Sequence, residues 1–239
     1  MSVSVTLSHQ IHRAAFWSAA IALGTTVLSL FLPLDVPGGY EATTPERVAW
    51  LSANTGLFIV GWINQIVSMV AISGLFAGIA WQIAYTHPLR ALLAGTLVLI
   101  ATTVFFIPKF IAVWTIPMLA EAIATDSAAS AMAQTLLPIL NVSVPFSLYT
   151  SFDYLGFWLY SLFALLVARP LLAGPLSAKI IGITLGVFGL LFNGAVIAIL
   201  AGSIERPQIE ATIVSVAGLV GIATIAALFL FRETPTSAD

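Results

Sequence analysis

Apolar positions along this chain fall in long uninterrupted blocks separated by short polar stretches. Six blocks, 14–34, 56–85, 91–111, 154–171, 180–203 and 209–231, are apolar over the roughly 17–25 residues that a helix needs to cross a bilayer. A membrane barrel would require alternation of polar and apolar positions, and there is none. The pattern therefore predicts an all-α, polytopic membrane protein: one domain over 1–239, built as a bundle of six transmembrane helices. The block 56–85 exceeds the hydrocarbon thickness, so it must tilt or protrude. The run after Arg13 is longer than a signal-peptide core of about 7–15 residues and lacks a clear small-x-small cleavage site, so it reads as a retained first span.

The segments between blocks are unequal. Asp35–Thr55 opens on the turn signal DVPGGY and continues as TTPERVAWL, in which Thr44 is expected to cap and Pro45 to occupy the first turn of a helix leading into the second span. The stretch from Ala112 to Asp153 is too long for a simple connection. It predicts an interfacial helix near 116–134, then a broken segment punctuated by Pro138 and Pro145, together forming an outer cap. A re-entrant path for 135–150 is the alternative. Trp50 and Trp114 fall where an aromatic belt would lie.

Charge orients the bundle. Arg13, Arg90, Arg169, Lys179 and Arg232 gather on one side of the threading, against Arg47, Lys109 and Arg206 on the other. Cytoplasmic loops carry the excess of basic residues, which places both termini in the cytoplasm. Asp35, Glu41, Glu46, Glu121, Asp126, Asp153, Glu205 and Glu210 fall outside, with Glu233 and Asp239 inside.

Composition agrees with the block pattern. The 239 residues are 60% hydrophobic and 8% charged, against about 25% charged in a soluble domain. The lipid bilayer is the expected partner. A net charge of −2 without a basic stripe argues against nucleic acid. The chain has no cysteine, which removes disulfides, thiolate metal sites and cysteine nucleophiles from consideration. Gly74/Gly78 and Gly182/Gly186 are small-xxx-small pairs that favour close helix packing inside the chain, with a homo-oligomer interface as the alternative.

The polar residues inside the blocks are few. At about 1.5 Å per residue, Lys109 stands roughly 28 Å above Arg90 and Asp153 roughly 24 Å above Arg169, a matched depth at which they can pair. Asn193 stands roughly 21 Å above Lys179. Asn64 and Gln65 also lie toward the outer half of their span. A lysine near a helix end is first expected to snorkel its ammonium to water, and Asp153 to sit in water above its span. Asn64, Gln65 and Asn193 are first expected to serve as interhelical hydrogen-bond glue, worth about 0.6 kcal/mol each. The sharper reading assembles all five into one outer ligand site walled by Trp62, Trp114, Tyr149 and Tyr154.

Signatures of chemistry are absent: no HExxH, no GxSxG, no phosphate-binding loop. His9, His12 and His87 lie at the cytoplasmic ends, so no mid-membrane haem pair is expected, and His9-x-x-His12 supplies two ligands where a metal site needs more. No catalytic residue, metal or cofactor is expected. Asn141-Val-Ser143 matches a glycosylation triplet but carries weight only in a eukaryotic host.

ANTGLFIVGWINQIVSMVAISGLFAGIAWQI (53–83) and LLVARPLLAGPLSAKIIGITLGVFGLL (165–191) resemble the long second span and the basic, proline-bearing turn of a family of small bacterial six-helix membrane proteins without assigned activity. The turn departs from that family's Ser-x-x-Ile-Pro-Arg form. The resemblance implies a bacterial inner-membrane bundle and transfers no functional residue.

Three functions fit these observations. The first, and the preferred one, is a structural or regulatory membrane protein that binds a lipid or small molecule in its outer half. The second is a small transporter or channel using the Lys109/Asp153 region, although its inner half is poor in polar side chains. The third is an intramembrane enzyme acting on lipid, with Asp153 beside Lys109, Tyr149 or Tyr154.

Overall fold

The computed structural model describes the backbone of residues 3–232 and the side chains of 6–232. Glu233 and Asp239, placed by charge on the inner side, lie outside the described residues. The described chain is all-α and contains no strand. Its helices are α1 (Val3–Ser29), α2 (Thr44–Gln82), α3 (Pro88–Phe110), α4 (Ile116–Ala124), α5 (Ser130–Leu140), α6 (Leu148–Leu171), α7 (Leu176–Leu200) and α8 (Arg206–Arg232).

Five helical stretches are long and apolar enough to cross a membrane: α2, the continuous run Pro88–Ala124, α6, α7 and α8. α1, with 27 residues, packs along α2 and α8 as a sixth long helix but does not meet that measure. The six long elements close into a ring in which α1, α2, α3, α6, α7 and α8 each pack on the next and α8 returns to α1. The ring interior is aromatic. Phe76 stacks on Phe163 with centroids 4.5 Å apart and meets Tyr160 edge-on at 4.8 Å. Leu99, Leu190 and Phe229 stand exposed on the perimeter, a distribution suited to lipid contact.

Close helix approach depends on glycine. A Cβ on Gly74 would lie 2.5 Å from Ser18 Oγ, and one on Gly78 would overlap Ala15. On the other side of the ring, a Cβ on Gly182 would lie 2.7 Å from the Ala168 carbonyl. Both small-residue pairs are thus filled by neighbours within the chain, α1 for the first and α6 for the second. An oligomer through either would need a face that the chain itself covers.

Element boundaries differ from the block pattern in instructive ways. α1 ends at Ser29 rather than 34, because Pro33 stops the helix and the chain turns. α2 is capped one residue earlier than expected: Thr43 accepts from the Glu46 amide, and the Glu46 carboxylate accepts from the Thr43 amide at 2.8 Å. This capping box starts a single helix of 39 residues, about 58 Å long. α3 does not end at 111. Pro108 leaves its carbonyl partner free, a π turn over Ile111–Thr115 absorbs the mismatch, and the rod continues as α4. The interfacial helix expected at 116–134 is two helices, parted where Asp126 adopts a left-handed φ of 48°. α5 runs through Pro138, and the break expected from there begins only after Leu140. α4 packs on both α2 and α5, and there a second hydrophobic cluster of Leu51, Phe58, Trp62, Ile116, Leu119, Leu137 and Tyr149 forms.

Candidate functional site

The two hydrophobic clusters meet at Lys109. Phe105, one turn before it on α3, belongs to the ring core, while Trp62 of α2 and Tyr149 of α6 belong to the outer cluster. Ser147 caps α6 by accepting from the Thr150 amide at 3.1 Å. That start places Tyr149 and Asp153, four residues apart, on one face toward α3. Close approach of the two helices requires Gly156, since a Cβ there would sit 2.7 Å from the Phe105 ring.

Lys109 does not snorkel. Its residue is 3% exposed, and Nζ donates to the Asp153 carboxylate and, at 3.1 Å, to the Tyr149 hydroxyl. The ammonium lies 5.2, 5.6 and 5.3 Å from the ring centroids of Trp62, Phe105 and Tyr149. Snorkelling needs a free path to water, and Asp153 with the Trp62, Phe105 and Tyr149 rings encloses the ammonium instead. A cation so desolvated requires a counter-ion, which Asp153 supplies, and the ring faces add to its stabilisation.

Asp153 faces a cavity of about 230 Å³ bounded by α2, α3, α6 and α8. Its roof comes from two loops. Asp35, after α1, pairs with Arg47 in the first turns of α2 and accepts from Ser143 of the loop after α5. Arg47 also donates to the Gly39 carbonyl at 2.6 Å, which folds the DVPGGY turn back onto α2. Trp62 Nε1 donates to the Leu34 carbonyl at 3.0 Å and anchors the same loop. Glu210, at the start of α8, completes the polar lining. Deeper in the bundle the Ser73 hydroxyl is linked to those of Tyr160 and Thr102 at 2.7 Å each, beside the aromatic ring core.

Six of the nine residues singled out from sequence line this cavity: Lys109, Asp153, Trp62, Gln65, Tyr149 and Tyr154. The other three do not. Asn64 donates to the Thr25 carbonyl and to Ser29, both at 2.9 Å, and so ties α2 to α1. Asn193 accepts from Trp158 Nε1 at 3.0 Å and donates to Ser161 at 3.1 Å, joining α7 to α6. Both are interhelical glue. Trp114 is 60% exposed and stacked on Phe110, on the outer surface of the rod. Gln65 has two attachments, since it donates to Ser29 at 2.8 Å while lining the cavity.

Asp35, Arg47, Phe105, Ser143, Thr150 and Glu210 belong to the same neighbourhood, and sequence reasoning missed them. Asp35 and Glu210 read in sequence as solvated charges at span ends. The depth count that found Asp153 places Glu210 roughly 33 Å above Arg232, near the same level, and would have flagged it. Ser143 and Asn141, which form the glycosylation triplet, are both buried. Among the described residues there is no group of three His, Asp or Glu side chains suited to a metal.

Comparison of the chain with protein-family models, with curated proteins and with solved structures finds no match.

Proposed function

We propose that this chain is a non-enzymatic membrane protein of six spans whose outer half binds a lipid or small molecule in the cavity beside the Lys109–Asp153 pair. In this reading α1 is the sixth span and both termini are cytoplasmic, the side that the excess of Lys and Arg favours. A bacterial inner membrane is the setting implied by the resemblance of 53–83 and 165–191. The observation that carries the reading is the placement of a desolvated charge pair on the wall of a cavity. Ionic groups inside a membrane domain are costly and in general mark functional positions. Binding is favoured over conduction because Phe76, Tyr160 and Phe163, all fully buried, fill the ring beneath the cavity.

Val142 lines the cavity from the roof loop, is only half-buried and takes no part in the ion pair, so Val142→Trp is expected to fill the space while leaving both charges in place. Native mass spectrometry of the protein released from its own membranes is expected to show a bound adduct in the wild type that Val142→Trp lacks. Identical adduct patterns in the two would refute the site.

A further inference from the structure

On the α8 side the polar cavity adjoins a second one. Gln65, Met69, Phe157 and Val214 line it and also line a second space of about 370 Å³, set to the α1–α8 side of the filled ring interior. This second space is a crevice between α1 and α8. The two helices meet at one end, where His12 and Phe231 lie edge-to-face at 5.5 Å. Toward the outer side they part, and Leu23 and Thr26 of α1 face Ala217, Gly218 and Gly221 of α8 across the gap. A Cβ on Gly218 or Gly221 would meet nothing within 4 Å, so α8 presents bare backbone to open space. Apart from Gln65 at the junction and a few hydroxyls the crevice is apolar. A charged head and an aliphatic tail thus have adjoining compartments.

The sign of the head follows from the charges. Three carboxylates, Asp35, Asp153 and Glu210, line the cavity. Arg47 pairs with the first and Lys109 with the second. Among the described residues Glu210 has no ion-pair partner, because Arg206, one turn before it, lies instead over the Phe146 ring at 5.4 Å. Lys109 is enclosed by Asp153 and three rings, so it offers little to an anion. The unbalanced charge is negative, and Tyr154 and Phe157 supply ring faces beside it.

We propose that the ligand is a long-chain amine, with its ammonium in the cavity against Glu210 and its tail in the α1–α8 crevice. This rests on the binding role proposed above and names the ligand's chemistry. The direct probe is radiolabelled hexadecylamine, which is cationic at neutral pH, added to the full-length protein in phosphatidylcholine nanodiscs. Saturable binding is expected. Hexadecanol, with the tail and no charge, and butylamine, with the charge and little tail, should each compete at least about tenfold more weakly. Glu210→Gln should weaken binding about tenfold. Val214→Trp, at the exposed junction of the two spaces, should abolish it, and Gly218→Leu on the same wall serves if that variant does not melt cooperatively. Equal competition by hexadecanol, or undiminished binding by Glu210→Gln or by the crevice-blocking variant, overturns the proposal. If hexadecylamine does not bind while a native adduct is still lost in Val142→Trp, the amine assignment fails alone. If neither is seen, both readings fail.

Discussion

At the scale of single residues, the buried ammonium of Lys109 dominates the energetics of the site. Removing one member of a desolvated ion pair leaves the other charge uncompensated, at a cost of about 3–5 kcal/mol, whereas replacing both with apolar groups is often neutral. Lys109→Met and Asp153→Leu are each expected to destabilise the protein by about 3 kcal/mol in detergent melts. The double variant should recover most of that loss, and strictly additive losses would show that the two side chains are not coupled. This pairing was legible in the sequence because helical rise converts residue number into depth, and Lys109 and Asp153 share a depth. Depth carries no azimuth. It could not separate Asn64, which faces α1, from Gln65, which reaches the cavity, nor show that Trp114 points away from it. Phe105 was hidden for another reason: one phenylalanine among fifteen in an apolar chain carries no mark of the cation it faces.

At the scale of elements, block boundaries followed hydropathy and missed the places where helices outrun the apolar signal. α2 and the Pro88–Ala124 rod extend well past the blocks, since a capped or already nucleated helix propagates through moderately polar sequence. The π turn at Ile111–Thr115 leaves no hydropathy trace. Such a turn is one residue inserted into an α-helix, so removing a residue there heals the helix and keeps α4 in its present orientation. Deletion of the exposed Trp114 is therefore expected to leave the melting temperature within a few degrees of wild type. Deletion of Met118, within regular helix, turns the downstream residues by about 100° relative to α3 and should unseat Ala120 from the outer cluster. Circular dichroism melts of the two deletions separate these outcomes, and equal loss in both would mean that the π turn has a role of its own.

At the scale of the whole molecule, the all-α class and the run of apolar spans were plain from composition, while the ring order and the outer cap depend on packing that a single sequence does not encode visibly. The absence of cysteine makes the threading directly measurable. Single cysteines at Thr125 and at Leu172 are expected to react with a membrane-impermeant maleimide from opposite sides of the membrane, Thr125 from outside intact cells and Leu172 only after lysis. Labelling of both from the same side would overturn the orientation. The position of Lys109 between two cores also bears on biosynthesis. Its counter-ion, Asp153, is translated 44 residues later, and Tyr149 only 40 residues later. The nascent α3 is therefore expected to emerge with an uncompensated cation and to stay at the translocon or in the interface until α6 is made. Lateral release of α3 into lipid should then wait for the arrival of α6, and a chain arrested between the two should remain accessible to the quality-control proteases of the membrane.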